Sequence, residues 1–244
     1  MQTPTINVPH PISAGPEMEA PASLLPGRHP MTSTPSTVSV DLYWLPLGAG
    51  GHSVRLNGKV FEAVAARLDR RDRCDLYHSA LAVHAPEGRF VIEQAPAWRE
   101  GAERGVVAEG RVGAQALGRF RLFRYEVRRW RDGIIPDVAE AVASPLRLSE
   151  DPDRARQILK VVAQVPTPVW GRDELGAGEM WNSNSTISWV LACSGLDVES
   201  IPLPPGGRAP GWRAGIVIAQ RQRSELVFGT ALPTLQVQNA QSSK

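Results

Sequence analysis

The segment Trp181–Ser185 combines side chains suited to nucleophilic chemistry with the expected start of a helix. Ser183 carries a hydroxyl, Asn182 and Asn184 carry amides, and the apolar run Ile187–Cys193 that follows is typical of a buried helix. The first turn of a helix has unpaired backbone N–H groups and the positive end of the helix dipole. These groups could hold the oxyanion formed when Ser183 attacks a carbonyl carbon. The alternative is that Asn and Ser simply cap the helix.

A histidine and a carboxylate lie on two strands that the sequence predicts to be neighbours. Residues 76–84 and 89–94 are rich in strand-forming residues, and the Pro and Gly between them predict a hairpin. A turn between residues 84 and 89 places Glu93 nearly opposite Ala80, one diagonal step from His78. Glu93 could then orient His78 as a general base. The alternative is that His78 is a structural histidine.

These motifs together resemble the circularly permuted papain-like superfamily, which includes lecithin retinol acyltransferase-like and NlpC-like groups and the PPPDE deubiquitinating peptidases. In those groups the catalytic histidine precedes the catalytic cysteine along the chain. The resemblance covers about residues 38–195. It implies His78 as general base, Glu93 as its orienting residue and Ser183 in the position of the nucleophile. Segments 43–48 and 206–212 are also similar to a bacterial group with this core.

The chain departs from that superfamily because it has Ser183 where the family has cysteine. A cysteine thiol, with a pKa of about 8.5, can be held as a thiolate by a helix dipole and a histidine. A hydroxyl instead needs a general base to remove its proton during attack. One hypothesis is therefore a hydrolase or acyltransferase acting on an amide, ester or thioester of a small molecule or peptide. The other is a catalytically inactive binding module that keeps the papain-like cleft.

The expected substrate contacts surround Ser183. The amide of Asn182 and the backbone N–H near Asn184 would hold the oxyanion, and Trp181 would adjoin the substrate. Arg172 lies in a loop rich in glycine just before them, where loops commonly line a site. It could bind a substrate carboxylate or form an ordinary surface ion pair. We expect neither a metal nor a cofactor, because the acidic residues have no metal-ligand spacing with the histidines.

The segment Arg119–Arg131 alternates arginines with aromatic residues, a pattern that can suit a nucleic-acid surface. The alternative is a strand with one apolar face and one solvated arginine face. We favour this alternative because the formal net charge of the whole chain is only +2. Nucleic acid is therefore not the expected partner.

The elements that would position these residues indicate an α+β fold, in which an antiparallel sheet packs against the helix that carries Ser183 in permuted papain-like order. The predicted strands cover residues 38–45, 76–84, 89–94, 105–112, 119–130 and 214–219, and the predicted helices cover residues 59–70, 152–164 and 183–193.

Three regions are expected along the chain. Residues 1–37 contain eight of the 21 prolines and predict a disordered segment, within which Met31 is an alternative start to Met1. Residues 38–219 form the domain, and residues 220–244 form a flexible tail. The two cysteines and the lack of a signal peptide or membrane span predict a cytoplasmic protein.

Overall fold

An antiparallel sheet forms the centre of the computed structural model, which describes residues 37–47, 74–97, 105–113 and 115–239. Its strands are β1 (Ser39–Pro46), β2 (Asp75–Ala85), β3 (Gly88–Pro96), β4 (Val106–Arg111), β5 (Arg124–Arg131) and β6 (Val142–Ser149). Their order across the sheet is β4-β5-β3-β2-β1-β6, and a two-residue strand β7 (Gly207–Arg208) pairs in parallel with the start of β2. The helices are α1 (Pro152–Val161), α2 (Ser183–Cys193) and α3 (Trp212–Asn239).

The two faces of the sheet have different neighbours, because successive side chains of a strand point in opposite directions. Leu42, Leu81 and Ile92 belong to the main core, which also contains buried residues of α1, α2 and α3. We call this side the helix face. Ala80 and Val91 belong to a smaller apolar cluster with Leu45, Ala82 and Ile135, on what we call the opposite face.

Local sequence signals predict several elements correctly. The hairpin of β2 and β3 forms with Leu81 paired to Ile92, which continues the expected register. The Asp151 side chain accepts a hydrogen bond from the Asp153 backbone N–H and caps α1. Helix α2 covers the expected residues, and Gly195 follows it with a φ of 76°. The coarse α+β class is confirmed.

One predicted strand has different bounds in the structure, and one strand was not predicted. The strand expected over residues 119–130 begins only at Arg124, because a 3₁₀ turn occupies Arg121–Phe123. Strand β6 was not predicted, since it contains Pro145 and lies at the sheet edge, where proline is tolerated.

The predicted strand at residues 214–219 is wrong, because these residues belong to α3. A short apolar run fits a buried helix as well as a strand, and tertiary packing decides between them. Here Trp212, Ile216 and Ala219 are buried at helical spacing. The helix also extends through Asn239, into the segment expected to be a flexible tail.

Other expectations concern parts of the chain that the structure does not describe. These are the helix at residues 59–70, the glycine-rich turn at residues 48–51 and nearly all of the segment 1–37.

Candidate functional site

Asn182 caps the start of α2. The Asn182 Oδ1 atom accepts hydrogen bonds from the backbone N–H groups of Asn184 at 2.9 Å and Ser185 at 3.3 Å. In return, the Ser185 hydroxyl accepts from the Asn182 backbone N–H at 3.2 Å. This reciprocal pair is a capping box. The capping box uses the backbone N–H of Ser185 and that of Asn184, where the acyl-transfer hypothesis places a donor to an oxyanion.

The Asn184 side chain is buried and fully hydrogen-bonded. Its Nδ2 atom donates to the backbone carbonyls of Tyr77 and Pro210, each at 2.9 Å. Its Oδ1 atom accepts from the Ser79 hydroxyl at 2.9 Å. Asn184 therefore joins α2 to strand β2 and to the segment before α3, which is a structural role.

The segment 206–212 packs directly on this helix start. The carbonyl of Pro210 accepts from Asn182 Nδ2 at 2.8 Å, and the carbonyl of Gly211 accepts from the Ser185 hydroxyl at 2.8 Å. Gly211 has a φ of 85°, and a Cβ atom there would lie 2.6 Å from Asn182 Oδ1. Only glycine fits this position without displacing the cap.

Ser183 occupies the first turn of α2 and is buried, with 6% of its surface exposed. Within the described part of the chain, no side-chain hydrogen bond involves its hydroxyl. The hydroxyl is therefore not activated by any described base, although it lies at the positive end of the helix.

His78 lies on the other side of the sheet from Ser183. Its neighbour Ser79 points to the helix face and contacts Asn184, whereas His78 shares the opposite face with Ala80. The unbroken pairing of β1 with β2, which includes Leu45 with His78, rules out a bulge that would reverse this alternation. The sheet therefore separates the proposed base from the proposed nucleophile.

Burial lowers the pKa of His78 to about 4, and the negative charge of Asp137 opposes this shift. At neutral pH the imidazole is consequently uncharged. A base this weak is poorly matched to removing a proton from a hydroxyl at neutral pH.

Glu93 shares the opposite face with His78 but forms its ion pair elsewhere. Arg128 Nη1 donates to Glu93 Oε1 at 3.0 Å, and Arg128 also donates to Glu126 Oε2 at 2.9 and 2.8 Å. All three side chains are buried. Among the described residues no hydrogen bond joins Glu93 to His78. The cross-strand pairing of Glu93 with Arg128 depends on strands β3 and β5, which are not consecutive in the chain.

Trp181 and Arg172, the two remaining residues predicted to contact a substrate, differ in solvent exposure. Trp181 is buried in the main core, and its backbone pairs with that of Arg172 and Gly171. Arg172 is exposed, and its Nε atom donates to the carbonyl of Gly113. The structure therefore brings Asn182, Ser183 and Asn184 together but leaves His78 and Glu93 on the opposite face.

The arginine-rich segment is not a solvated row of cations, because several of its side chains bond within the protein. Arg121 donates to the Ala97 carbonyl at 2.9 Å, and Arg129 donates to the Leu159 carbonyl at 2.7 Å. Arg131 donates to the Glu87 carbonyl at 2.8 Å. Arg128 is buried, which corrects the expectation of a solvated arginine face.

A polar cleft of about 570 Å³ lies beside this segment, and sequence reasoning did not find it. We call it the arginine cleft. Its lining residues are Glu109, Gly110, Arg111, Ala116, Gly118, Arg119, Arg124, Thr167, Val169 and Glu174. The alternation of arginines with aromatic residues marked one wall, but only the tertiary structure adds Arg111 and the segment 167–169.

The described residues contain no group of histidine, cysteine and acidic side chains that could hold a metal ion. No helix among them has both the length and the apolar character needed to cross a membrane.

Comparison with known proteins gave no match to a family model, to a curated protein or to a solved structure.

Proposed function

We propose that this chain is a non-catalytic binding module with a permuted papain-like fold. One observation carries the proposal: Ser183 lies with α2 on the helix face of the sheet, whereas His78 points to the opposite face. Acyl transfer by this pair needs the imidazole within hydrogen-bond reach of the hydroxyl. Bringing them together would require a one-residue shift of β2 that reverses which side chains point to each face, and this shift would remove Leu81 from the main core.

The surroundings of Ser183 support the same proposal. The Asn182 side chain already accepts from the N–H groups of Asn184 and Ser185, so these donors are not free to bind an oxyanion. The Asn182 amide donates to Pro210 instead of facing a substrate. In this proposal the Asn-Ser-Asn-Ser segment stabilises the junction of α2, β2 and α3.

The permuted papain-like part of the proposal rests on the order of the elements. A strand that carries His78 comes first, a hairpin partner that carries Glu93 follows, and the helix that begins at Ser183 comes late in the chain. The antiparallel sheet packs against that helix, as the resemblance implies.

Labelling with a fluorophosphonate probe, measured by intact mass, tests the absence of an activated serine. Wild type, Ser183→Ala and His78→Ala would be compared, with a known serine hydrolase as a positive control for the probe. We expect no adduct on any of the three proteins, because no described base contacts the Ser183 hydroxyl.

A second pair of variants tests the separation of the two residues directly. In Ser183→Cys, the rate of iodoacetamide modification at position 183 against pH reports the pKa of the new thiol. We expect the same profile in Ser183→Cys/His78→Ala, because a histidine across the sheet does not stabilise the thiolate. An adduct on wild type that both Ser183→Ala and His78→Ala abolish would overturn the proposal and support a hydrolase or acyltransferase. A thiol pKa that rises when His78 is removed would do the same.

A further inference from the structure

We infer that the arginine cleft binds a small molecule that carries an oxyanion, either a phosphate or a carboxylate group. This inference rests on the proposed function and assigns a ligand class to it. The cleft has three arginines and two glutamates among its lining residues, so its local charge is positive while the chain as a whole is nearly neutral. Guanidinium groups match the planar or tetrahedral geometry of oxyanions through paired N–H donors.

Two of the three arginines keep their charge available. Arg111 and Arg119 are exposed, and among the described residues neither lies within ion-pair distance of a carboxylate. The Arg119 guanidinium lies 4.7 Å from the centre of the Phe120 ring, which restricts its position while leaving its donors free. Elsewhere in this segment the arginines donate to backbone carbonyls or to buried carboxylates.

The third arginine is held in place but only weakly neutralised. Arg124 Nε donates to the Gly118 carbonyl at 2.6 Å, which fixes the side chain at the cleft wall. Its Nη1 atom lies 3.6 Å from Glu109 Oε2, and both side chains are about half exposed. Exposed pairs of this kind contribute little and are screened by water, so an incoming anion can compete for Arg124.

Hydrogen bonds to the backbone hold the walls of the cleft in place, which favours a preformed site. The Trp170 backbone N–H donates to the Arg111 carbonyl at 2.7 Å, and the Tyr125 hydroxyl donates to the Pro168 carbonyl at 2.8 Å. On the same wall, Glu174 Oε2 accepts from the Val169 backbone N–H at 2.8 Å. That contact directs one of the two acidic groups toward the backbone.

The available volume and the contacts of the other arginines favour a small ligand over a polyanion. A cleft of about 570 Å³ has the size of a small-molecule site. A nucleic-acid backbone instead needs a continuous row of free cations, and Arg121, Arg129 and Arg131 are bonded within the protein.

The test is a titration of the full-length, ¹⁵N-labelled protein, with the amide signals of Gly110 and Gly118 as reporters at the cleft. Inorganic phosphate and succinate are added separately, and sodium chloride at matched ionic strength is the control. We expect saturable shifts of these two signals with at least one of the two anions. Saturation with phosphate alone would assign a phosphate group, and saturation with succinate alone would assign a carboxylate group.

Variants that change the charge of the cleft test whether the anion binds there. We expect Arg111→Gln/Arg119→Gln to weaken the affinity at least about tenfold, since each lost charge-assisted hydrogen bond accounts for roughly that factor. Arg213→Gln, which removes an exposed arginine of α3 outside the cleft, should bind as wild type does. Ala116→Glu places a carboxylate in the cleft wall without removing an arginine, and it should also weaken binding.

The absence of saturable shifts with both anions would overturn the inference. Equal shifts with sodium chloride, or unchanged affinity in both the double variant and Ala116→Glu, would also overturn it. The fluorophosphonate experiment distinguishes failure of this inference from failure of the proposed function. If Ser183 is not labelled and no anion binds, only the ligand assignment is contradicted. If Ser183 is labelled, the proposed function is contradicted.

Discussion

The polar side chains near α2 form hydrogen bonds with other parts of the folded chain. Asn184 makes three side-chain hydrogen bonds to two separated parts of the chain, and the Ser188 hydroxyl lies within hydrogen-bond distance of the carbonyls of Ser185 and Trp212. A buried amide or hydroxyl costs free energy unless its partners are present. The polar composition of this segment, which also suits a catalytic centre, therefore has a sufficient structural explanation.

His78 provides a prediction at the same scale. Its pKa is about 4 in the folded protein, below its ordinary value of 6.5, so the unfolded chain binds more protons between these two pH values. The free energy of unfolding should therefore fall as the pH decreases from 6.5 toward 4, with a contribution from His78 on the order of 2–3 kcal/mol.

Urea unfolding of wild type and His78→Gln at pH 7 and at pH 5 measures this contribution. Because carboxylates also titrate in this range, the quantity of interest is the difference between the two proteins, and His84→Gln serves as a control on the same strand. An equal loss of stability in wild type and His78→Gln would contradict the assignment.

At the scale of elements, the contact between α2 and α3 depends on small residues. A Cβ atom at Gly215 would collide with the carbonyl oxygen of Ser185 and the hydroxyl of Ser188. The backbone of α3 therefore lies directly against α2, and Trp212 packs its ring 4.8 Å from that of Trp44 on β1. Such close approach requires glycine, although glycine is a poor helix former.

Gly215→Ala should consequently destabilise the protein despite the better helix propensity of alanine. Alanine gains about 1 kcal/mol in an exposed helix, but overpacking at this contact costs roughly 1–3 kcal/mol and displaces α3 from α2. Thermal unfolding followed by circular dichroism measures the result. The exposed Arg213→Ala on the same helix should change the midpoint little, and a higher midpoint for Gly215→Ala would contradict this packing.

At the scale of the whole molecule, charge is distributed locally rather than as one strong field. The formal net charge is +2, and buried Arg128 is balanced by Glu93 and Glu126. Long-range attraction of a polyanion needs a large excess of one sign. The positive character of the arginine cleft is therefore suited to short-range contacts with a small anion.

From this charge distribution we expect at most weak, salt-sensitive binding to nucleic acid. Fluorescence anisotropy with a labelled single-stranded oligonucleotide should show no saturable binding at about 150 mM salt, the physiological range. Arg121→Gln, which removes a cation already bonded to Ala97, is the matched variant. Saturable binding at that salt concentration, weakened by Arg121→Gln, would instead support a nucleic-acid surface on the arginine-rich segment.

The sequence alone determined the features that depend on neighbours within a few residues. The hairpin of β2 and β3 follows from its Pro and Gly turn, and α1 follows from the Asp151 cap and Pro152. The start of α2 follows from Asn182 and its neighbours. Turn geometry and capping bonds are local interactions, so residue types at fixed spacing are sufficient to predict them.

Only the tertiary structure decided the features that depend on distant partners. Residue parity places His78 and Ser79 on different faces of β2, but it does not state which face receives α2. The pairing of β3 with β5 provides Arg128 as the partner of Glu93, and the packing of α3 on α2 makes the apolar run at residues 214–219 helical. These contacts join residues far apart in the chain, where burial and the pairing of charges, rather than local propensity, select the arrangement.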